Sequence, residues 1–212
     1  MDLEEIYDLA EELNGRPIPG VRMSEEEFVA WAGEEIRAEW VDGEIILMAP
    51  VSDEHADPNN WLIALIRLFI EERDLGISRS DMFVRFESQR RRRVPDLFFI
   101  SEARRSVMRR GHCEGAPDLA IEIISTDSHS RDWREKFGEY EKAGVREYWI
   151  IDPFSRVAEI YRLVGKKYQL VEERDGVVAS AVLSGFRLRI ADLWQRPLPK
   201  VASVLKWMRS RS

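Results

Sequence analysis

The stretch Leu119-Ala-Ile-Glu-Ile-Ile124 has the composition of a strand that is buried on both faces, yet it contains one charged residue, Glu122. An isolated carboxylate is too costly to bury, so Glu122 must be protonated, paired with a cation or bound to a metal ion. A second apolar run, Val94 to Ile100, carries Asp96 near its start, where Pro95 favours an extended chain. Two carboxylates on neighbouring interior strands would offer a hard divalent cation the oxygen ligands that it prefers. The pattern therefore predicts a metal site in an α/β enzyme.

A structural alternative exists for Glu122. It could form an ion pair with an arginine from elsewhere in the chain, such as Arg85, and serve only the fold. No basic residue lies within its own strand. The residues of the strand alone leave both interpretations open.

A helix predicted over about 131–143 adds a cation to this picture. At about 100° per residue, Lys136 falls between Trp133 and Tyr140, which belong to the apolar face. Lys136 should therefore lie at the edge of the buried face, where its long stem can carry the ammonium toward the strand ends. The alternative is an ordinary surface ion pair between Asp132 and Lys136.

Helical and strand patterns alternate along the rest of the chain, which is typical of an α/β (α+β) protein with a mixed β-sheet flanked by helices. Capping and periodicity predict helices at about 2–13, 24–33, 57–70, 131–143 and near the C-terminus up to about 208. Strands are predicted at 81–88, 94–100, 119–124 and 147–152, with one hairpin at 36–48 around Asp42-Gly43 and an extra antiparallel hairpin at 157–173 on the C-terminal side.

The composition limits the class of protein. At 212 residues, with 44% hydrophobic and 33% charged residues, the chain fits one ordinary globular domain. No apolar run approaches the roughly 18 to 20 residues that span a bilayer, and the acidic N-terminus does not resemble a secretory signal. A single cysteine, Cys113, excludes an internal disulfide. We therefore expect a cytoplasmic protein with no membrane partner.

The formal net charge of −7 argues against a protein that coats nucleic acid over its whole surface. One basic run, Gln89-Arg-Arg-Arg-Arg93, nevertheless lies immediately before Val94-Pro95-Asp96. Its simplest interpretation is a solvated turn between strands. The alternative is that Arg90, Arg91, Arg92 and Arg93 contact nucleic-acid phosphates beside the site.

Five segments, taken in order, resemble the Uma2 (DUF820) family of the PD-(D/E)XK, restriction-endonuclease-like superfamily. The similarity spans roughly residues 23–193. It rests on Ala38 to Glu44, Val94 to Asp96, Glu122 to Thr126, Asp132 to Tyr140 and Ala143 to Pro153.

The resemblance implies a restriction-endonuclease-like core at 23–195, with an N-terminal helical arm at 1–22 and a C-terminal helical tail at 196–212. It implies Asp96 and Glu122 as metal ligands, helped by the backbone carbonyl of Ile123. Glu39 matches an acidic residue of the family and would complete the site or position a water molecule.

The chain departs from the superfamily pattern at one position. The lysine of the D/E-X-K motif would fall at residue 124, which is Ile124. The resemblance implies that Lys136, on the following helix, replaces the motif lysine. It would stabilise charge on the phosphate or hold the attacking water. His55 resembles a family histidine and is either catalytic or a hydrogen-bonding residue; Asp132 and Tyr140 are further accessory candidates.

The leading hypothesis is a Mg²⁺-dependent endonuclease, with Mn²⁺ able to substitute, that hydrolyses DNA through a metal-activated water. A homodimer is among the assemblies that we consider. The competing hypothesis is a nuclease-like module without catalysis that binds nucleic acid or a protein partner. A weaker third is a hydrolase of small phosphoesters.

Overall fold

The computed structural model describes residues 3–33, 36–49, 52–124 and 132–210. The helices are α1 Leu3–Leu13, α2 Glu25–Ala32, α3 Asp53–Glu71, α4 Asp132–Ala143 and α5 Val201–Arg209. The strands are β1 Pro17–Arg22, β2 Ala38–Val41, β3 Glu44–Leu47, β4 Gly76–Arg79, β5 Phe83–Phe86, β6 Arg91–Arg93, β7 Leu97–Ser101, β8 Met108–Arg109, β9 His112–Glu114, β10 Leu119–Ile123, β11 Glu147–Asp152, β12 Val157–Val164, β13 Lys167–Leu170, β14 Val177–Ala179 and β15 Arg187–Arg189.

The central sheet has the strand order β13-β12-β11-β10-β7-β4. Strands β10 and β11 are parallel, and the other neighbours are antiparallel. A parallel pair needs a crossover connection, which the segment containing α4 supplies. Residues of β10 alternate between two apolar clusters, since Leu119 and Ile121 belong to one and Ala120 to the other. The sheet is therefore covered on both faces, as its continuous apolar run predicted.

Helices α3 and α5 cover one face of this sheet. Leu65 and Phe69 of α3 and Leu205 of α5 share a buried cluster with Ile121 and Trp149. Tyr140 of α4 belongs to the cluster on the opposite face. The mixed α/β architecture predicted from the sequence is confirmed.

A second mixed sheet has the order β1-β3-β2-β6-β5-β9-β8. The turn Asp42-Gly43 joins β2 to β3 as predicted, with φ values of +50° and +94° that suit a tight hairpin. Helix α1 packs on this sheet through Ile6 and Ala10, beside Phe28 of α2. The division of the chain into arm, domain and tail stays a prediction.

The prediction of a solvated turn at the basic run is wrong. Residues Arg91–Arg93 form β6, which pairs with β2 on one side and β5 on the other. Strand β7 begins at Leu97, so Val94 to Asp96 link the two sheets and place Asp96 at the entrance of β7. The backbone of each arginine is therefore fixed by pairing with the neighbouring strands, and successive side chains point to opposite faces of the sheet.

Helix α3 begins earlier than the pattern predicted. Its first residue is Asp53, and Pro58 lies inside the helix instead of at its start. The first turn therefore carries His55. No helix in the described ranges is both long and apolar enough to cross a membrane.

Candidate active site

Asp96 and Glu122 lie side by side at the ends of two central strands. Strands β7 and β10 are antiparallel, and the last pair of their ladder is Leu97 with Ile121. Asp96 and Glu122 are the next residues along the two strands. The amide of Ile123 donates a 2.7 Å hydrogen bond to Asp96 Oδ2 and so fixes the Asp96 carboxylate against β10. The structure thus brings the two predicted acids together, with side chains 11% and 12% exposed.

Glu122 is held by two residues of α4. Lys136 Nζ lies 3.1 Å from Glu122 Oε2, and the Tyr140 hydroxyl donates a 2.7 Å hydrogen bond to Glu122 Oε1. The two partners are four residues apart and therefore share one face of the helix. Arg85, the alternative partner for Glu122, instead pairs with Glu25, Glu87 and Glu114.

Lys136 is buried, with only 5% of its surface exposed. Its ammonium lies 3.2 Å from Glu39 Oε1 as well as 3.1 Å from Glu122 Oε2. The position at the edge of the core is the one that the helical spacing predicted. The side chains of Asp132, its alternative partner, and of Trp133 lie outside the described residues, as do Ser125 and Thr126.

Glu39 lies on β2 and is buried. Its Oε2 accepts a 2.7 Å hydrogen bond from Arg93 Nη1, and its Oε1 accepts a 3.0 Å bond from the Val94 amide. Burial acts to raise the pKa of this carboxyl, but the charges of Lys136 and Arg93 outweigh it and lower the pKa to about 2. Glu39 is therefore ionised at neutral pH and anchors Lys136.

Sequence reasoning missed a chain of ion pairs behind Glu39. Arg93 is completely buried, and its guanidinium holds Glu139 of α4 through bonds of 2.8 and 2.9 Å. Arg91 reaches the same carboxylate over 2.9 Å. A signal for this network was present, because Arg91 and Arg93 share a strand face and Glu139 lies three residues after Lys136.

These contacts correct the prediction for the basic run. Arg93 is buried between carboxylates and cannot contact nucleic acid, which contradicts its predicted role. Arg92 is 12% exposed and pairs with Glu25 over 2.6 Å. Arg90 is 66% exposed, and its 3.0 Å ion pair with Asp42 lies in solvent. Of the run, Arg90 is the residue whose charge faces solvent.

His55 approaches Asp96 from the first turn of α3. Its Nε2 lies 3.2 Å from Asp96 Oδ1, and the residue is 4% exposed. Its Nδ1 is buried without a hydrogen-bond partner in the part of the chain that the structure describes. His55 therefore contacts a predicted metal ligand and can orient its carboxylate.

Tyr140 is buried against the same cluster. Burial, together with the negative charge of Glu122, raises the pKa of its hydroxyl well above the usual value. The hydroxyl therefore stays protonated and acts as a donor to Glu122. It is not a candidate general base.

The donor set suits a hard divalent cation that keeps several water ligands. Within the described ranges no three His, Cys, Asp or Glu side chains form a metal-binding group. Mg²⁺ needs fewer protein ligands, because one or two carboxylates and water molecules suffice. Asp96 and Glu122 supply such a pair, and the described residues give Asp96 no lysine or arginine partner. The role of the Ile123 carbonyl as a third ligand remains a prediction.

Comparison with known proteins gives a consistent assignment. The model of the Uma2 family, described as "Putative restriction endonuclease", matches residues 25–191. An uncharacterized protein of Synechocystis sp. is 29% identical over 153 residues, which cover 72% of this chain and 86% of that protein. A crystal structure from Anabaena variabilis, titled as a "putative nuclease belonging to DUF820", covers 81% of this chain and 97% of its own, with a TM-score of 0.68 and 22% identity. This structural likeness shows the fold.

Proposed function

Because the chain belongs to the Uma2 family of restriction-endonuclease-like proteins, we propose that it is a Mg²⁺-dependent endonuclease that hydrolyses DNA phosphodiester bonds. One observation carries the proposal. The carboxylates of Asp96 and Glu122 lie at the ends of adjacent strands, and Lys136 reaches Glu122 from the following helix over 3.1 Å. Burying two carboxylates at this point has a desolvation cost that a purely structural core of apolar residues would avoid.

The proposed roles follow from the contacts. Asp96 and Glu122 would hold the cation, which would supply Lewis acidity to a water nucleophile and a phosphate oxygen. The Ile123 amide and His55 orient Asp96, while Tyr140 orients Glu122.

Lys136 has the contacts of an ammonium ion, since it lies between Glu39 and Glu122. We assign it the stabilisation of negative charge that develops on the phosphate, in preference to proton abstraction. Glu39 anchors this ammonium, and the buried Arg93 holds Glu39 in turn. The lysine therefore reaches the acid pair from α4, although the superfamily motif would place it on β10.

A second function is favoured by a different observation. Lys136 already lies against both Glu39 and Glu122, so part of the acidic charge is neutralised without a metal ion. A module that binds nucleic acid or a protein without catalysis could retain such a network for stability. Asp96 argues for the enzyme, since its described partners are the Ile123 amide and His55 alone.

The test is cleavage of supercoiled plasmid by purified protein with Mg²⁺, Mn²⁺ or EDTA. Asp96→Asn and Glu122→Gln should abolish the metal-dependent cleavage. Glu71→Gln, which changes an exposed carboxylate on α3, should match the wild type.

Two outcomes count against the proposal. If wild type and both site variants give equal traces of cleavage, the activity is a contaminant and the endonuclease assignment is wrong. If no cleavage occurs with either metal but DNA binding survives Asp96→Asn and Glu122→Gln, the chain is the binding module.

A further inference from the structure

A cavity of about 650 Å³ lies away from the candidate active site. It is formed where strands β12 and β13 meet the turn before β14, strand β15 and the end of α5. Its lining includes Arg162, Gln169, Arg174, Arg187 and Trp207. The volume is in the range of small-molecule sites in proteins.

The register places this cavity on the opposite face of the central sheet from Glu122. Arg162 pairs across strands with Glu147, which in turn pairs with Leu119. Leu119 faces the cluster under α3 and α5, whereas Glu122, three residues further along β10, faces α4. A ligand in this cavity would therefore not touch the acid pair.

Three arginine side chains in the lining, those of Arg162, Arg174 and Arg187, form neither a hydrogen bond nor an ion pair in the described parts of the chain. The Nε atom of Arg162 is fully buried without an acceptor. Glu147, the cross-strand neighbour of Arg162, accepts hydrogen bonds from Trp149 Nε1 and the Ala181 amide, and the charge of Arg162 acts on it without a hydrogen bond.

Two arginines of the other sheet are paired differently. The buried Arg93 binds Glu39 and Glu139, and the half-buried Arg85 binds Glu25 and Glu114. A buried guanidinium N–H without an acceptor is costly, and such a group commonly marks the place of a water molecule, an ion or a ligand.

We propose that this cavity binds a phosphate group, carried either by a free nucleotide or by a nucleic-acid backbone. Guanidinium groups match phosphate oxygens with paired hydrogen bonds, and Arg162 and Arg187 offer theirs from two sides of the cavity. Gln169, which is the cross-strand neighbour of Arg162 on β13, adds an amide group to the same wall.

The carboxylates of the lining leave room for an anion. Glu172 and Asp175 are exposed, whereas Arg162 and Arg187 are half-buried. The less exposed part of the lining therefore carries two arginines, whereas the more exposed part, its rim, carries both signs of charge. Acids at the rim suit hydroxyl or amino groups of a nucleoside better than a second phosphate.

Calorimetric titration in EDTA tests the proposal, because without a metal ion the acid pair should repel phosphate. The probes are inorganic phosphate, adenosine monophosphate, adenosine and a single-stranded oligodeoxynucleotide. Arg162→Gln and Arg187→Gln should each weaken binding of the phosphate-bearing probe about tenfold, the loss expected for one charge-assisted contact. Arg110→Gln removes an exposed arginine from the turn between β8 and β9 and should have no effect.

Thermal unfolding shows whether each variant folds. If Arg162→Gln does not fold, Arg187→Gln still tests the proposal. Tighter binding of the monophosphate than of the oligonucleotide identifies a free nucleotide as the source of the phosphate, and the reverse identifies a nucleic-acid backbone. The proposal is overturned if no phosphate-bearing probe binds. It is also overturned if adenosine binds as well as its monophosphate, or if Arg187→Gln binds like wild type.

Discussion

Lys136 Nζ lies 3.1 Å from Glu122 Oε2, although the first residue belongs to α4 and the second to β10. The same ammonium lies 3.2 Å from Glu39 Oε1 on the second sheet. One buried cation thus joins the central sheet, the second sheet and the crossover helix. Its removal should affect stability as well as catalysis.

The first prediction concerns the stability that Lys136 supplies. Lys136→Met should lower the free energy of unfolding by about 3–5 kcal/mol at pH 7, because it removes a buried cation that contacts both Glu39 and Glu122. Urea unfolding measures this loss. Lys142→Met removes an exposed lysine from the same helix and should change the free energy by no more than about 0.5 kcal/mol.

The difference in the free energy of unfolding between wild type and Lys136→Met should depend on pH. The folded pKa of Glu39, about 2, is below its ordinary value of 4.5. Its contribution to stability is therefore fully present above pH 4.5 and is lost as the pH falls toward 2. The gap between wild type and Lys136→Met should narrow across this window. A gap that stays constant would show that Lys136 acts through packing alone.

The second prediction separates the Tyr140 hydroxyl from its ring. Tyr140→Phe keeps the aromatic packing but removes the 2.7 Å hydrogen bond to Glu122. Plasmid cleavage should fall, and the free energy of unfolding should drop by about 1–2 kcal/mol. Burial and the charge of Glu122 raise the pKa of Tyr140 well above 10. Ionisation of Tyr140 should therefore cause no change in the wild-type cleavage rate below pH 10.

A matched control exists in the same aromatic cluster. The Tyr168 hydroxyl donates a 2.9 Å hydrogen bond to the Val145 carbonyl and does not contact Glu122. Tyr168→Phe should therefore lower stability and leave cleavage unchanged. Equal losses of cleavage in Tyr140→Phe and Tyr168→Phe would contradict a role for Tyr140 in the site.

The third prediction treats His55 as a residue that positions Asp96. Loss of a residue that contacts and orients a metal ligand typically weakens metal binding 10- to 100-fold. Because His55 Nε2 lies 3.2 Å from Asp96 Oδ1, His55→Ala should raise the Mn²⁺ dissociation constant about tenfold, and His55→Gln should recover part of the affinity because its amide offers an N–H group to Asp96. Calorimetric titration with Mn²⁺ measures the dissociation constant of each variant.

His112→Ala provides the comparison, since His112 pairs with Glu114 on the other sheet. It should bind Mn²⁺ like wild type. An unchanged Mn²⁺ affinity in His55→Ala, with stability alone reduced, would limit His55 to a role in the fold.

The parts of the site that could be predicted are those with a local signal. Glu122 is recognisable because it interrupts a run of apolar residues, and no distant information is needed to see that its charge requires compensation. Lys136 is recognisable from its angular position around the axis of α4 relative to Tyr140. Both signals lie within one element, where periodicity determines which side chains share a face.

The parts that could not be predicted depend on contacts between distant residues. The basic run looks solvated because its four consecutive arginines outnumber the acids near them in sequence, yet Arg93 binds Glu39 and Glu139, which are 54 and 46 residues away. Strand β6 is likewise defined by its neighbours β2 and β5, because three arginines have no strand pattern of their own. Only the fold shows which acids neutralise the run.

The last prediction follows from this correction to the basic run. If the protein binds DNA beside the site, Arg90 is the residue of the run that can contribute, because it is 66% exposed and its pair with Asp42 lies in solvent. Arg90→Gln should weaken DNA binding by similar factors for all sequences. It should also reduce the slope of log K against log salt by about 0.9, the value for one phosphate contact.

Arg92→Gln is the informative control, since Arg92 is two residues away but pairs with Glu25 over 2.6 Å and is 12% exposed. Its substitution should lower stability and leave the salt slope unchanged. Both substitutions are made in the Glu122→Gln protein, which should not cleave the duplex. Fluorescence anisotropy of a labelled duplex at several salt concentrations then measures both slopes. Equal reductions for Arg90→Gln and Arg92→Gln would mean that DNA binding breaks the pair of Arg92 with Glu25. No reduction for Arg90→Gln would place the DNA path away from β6.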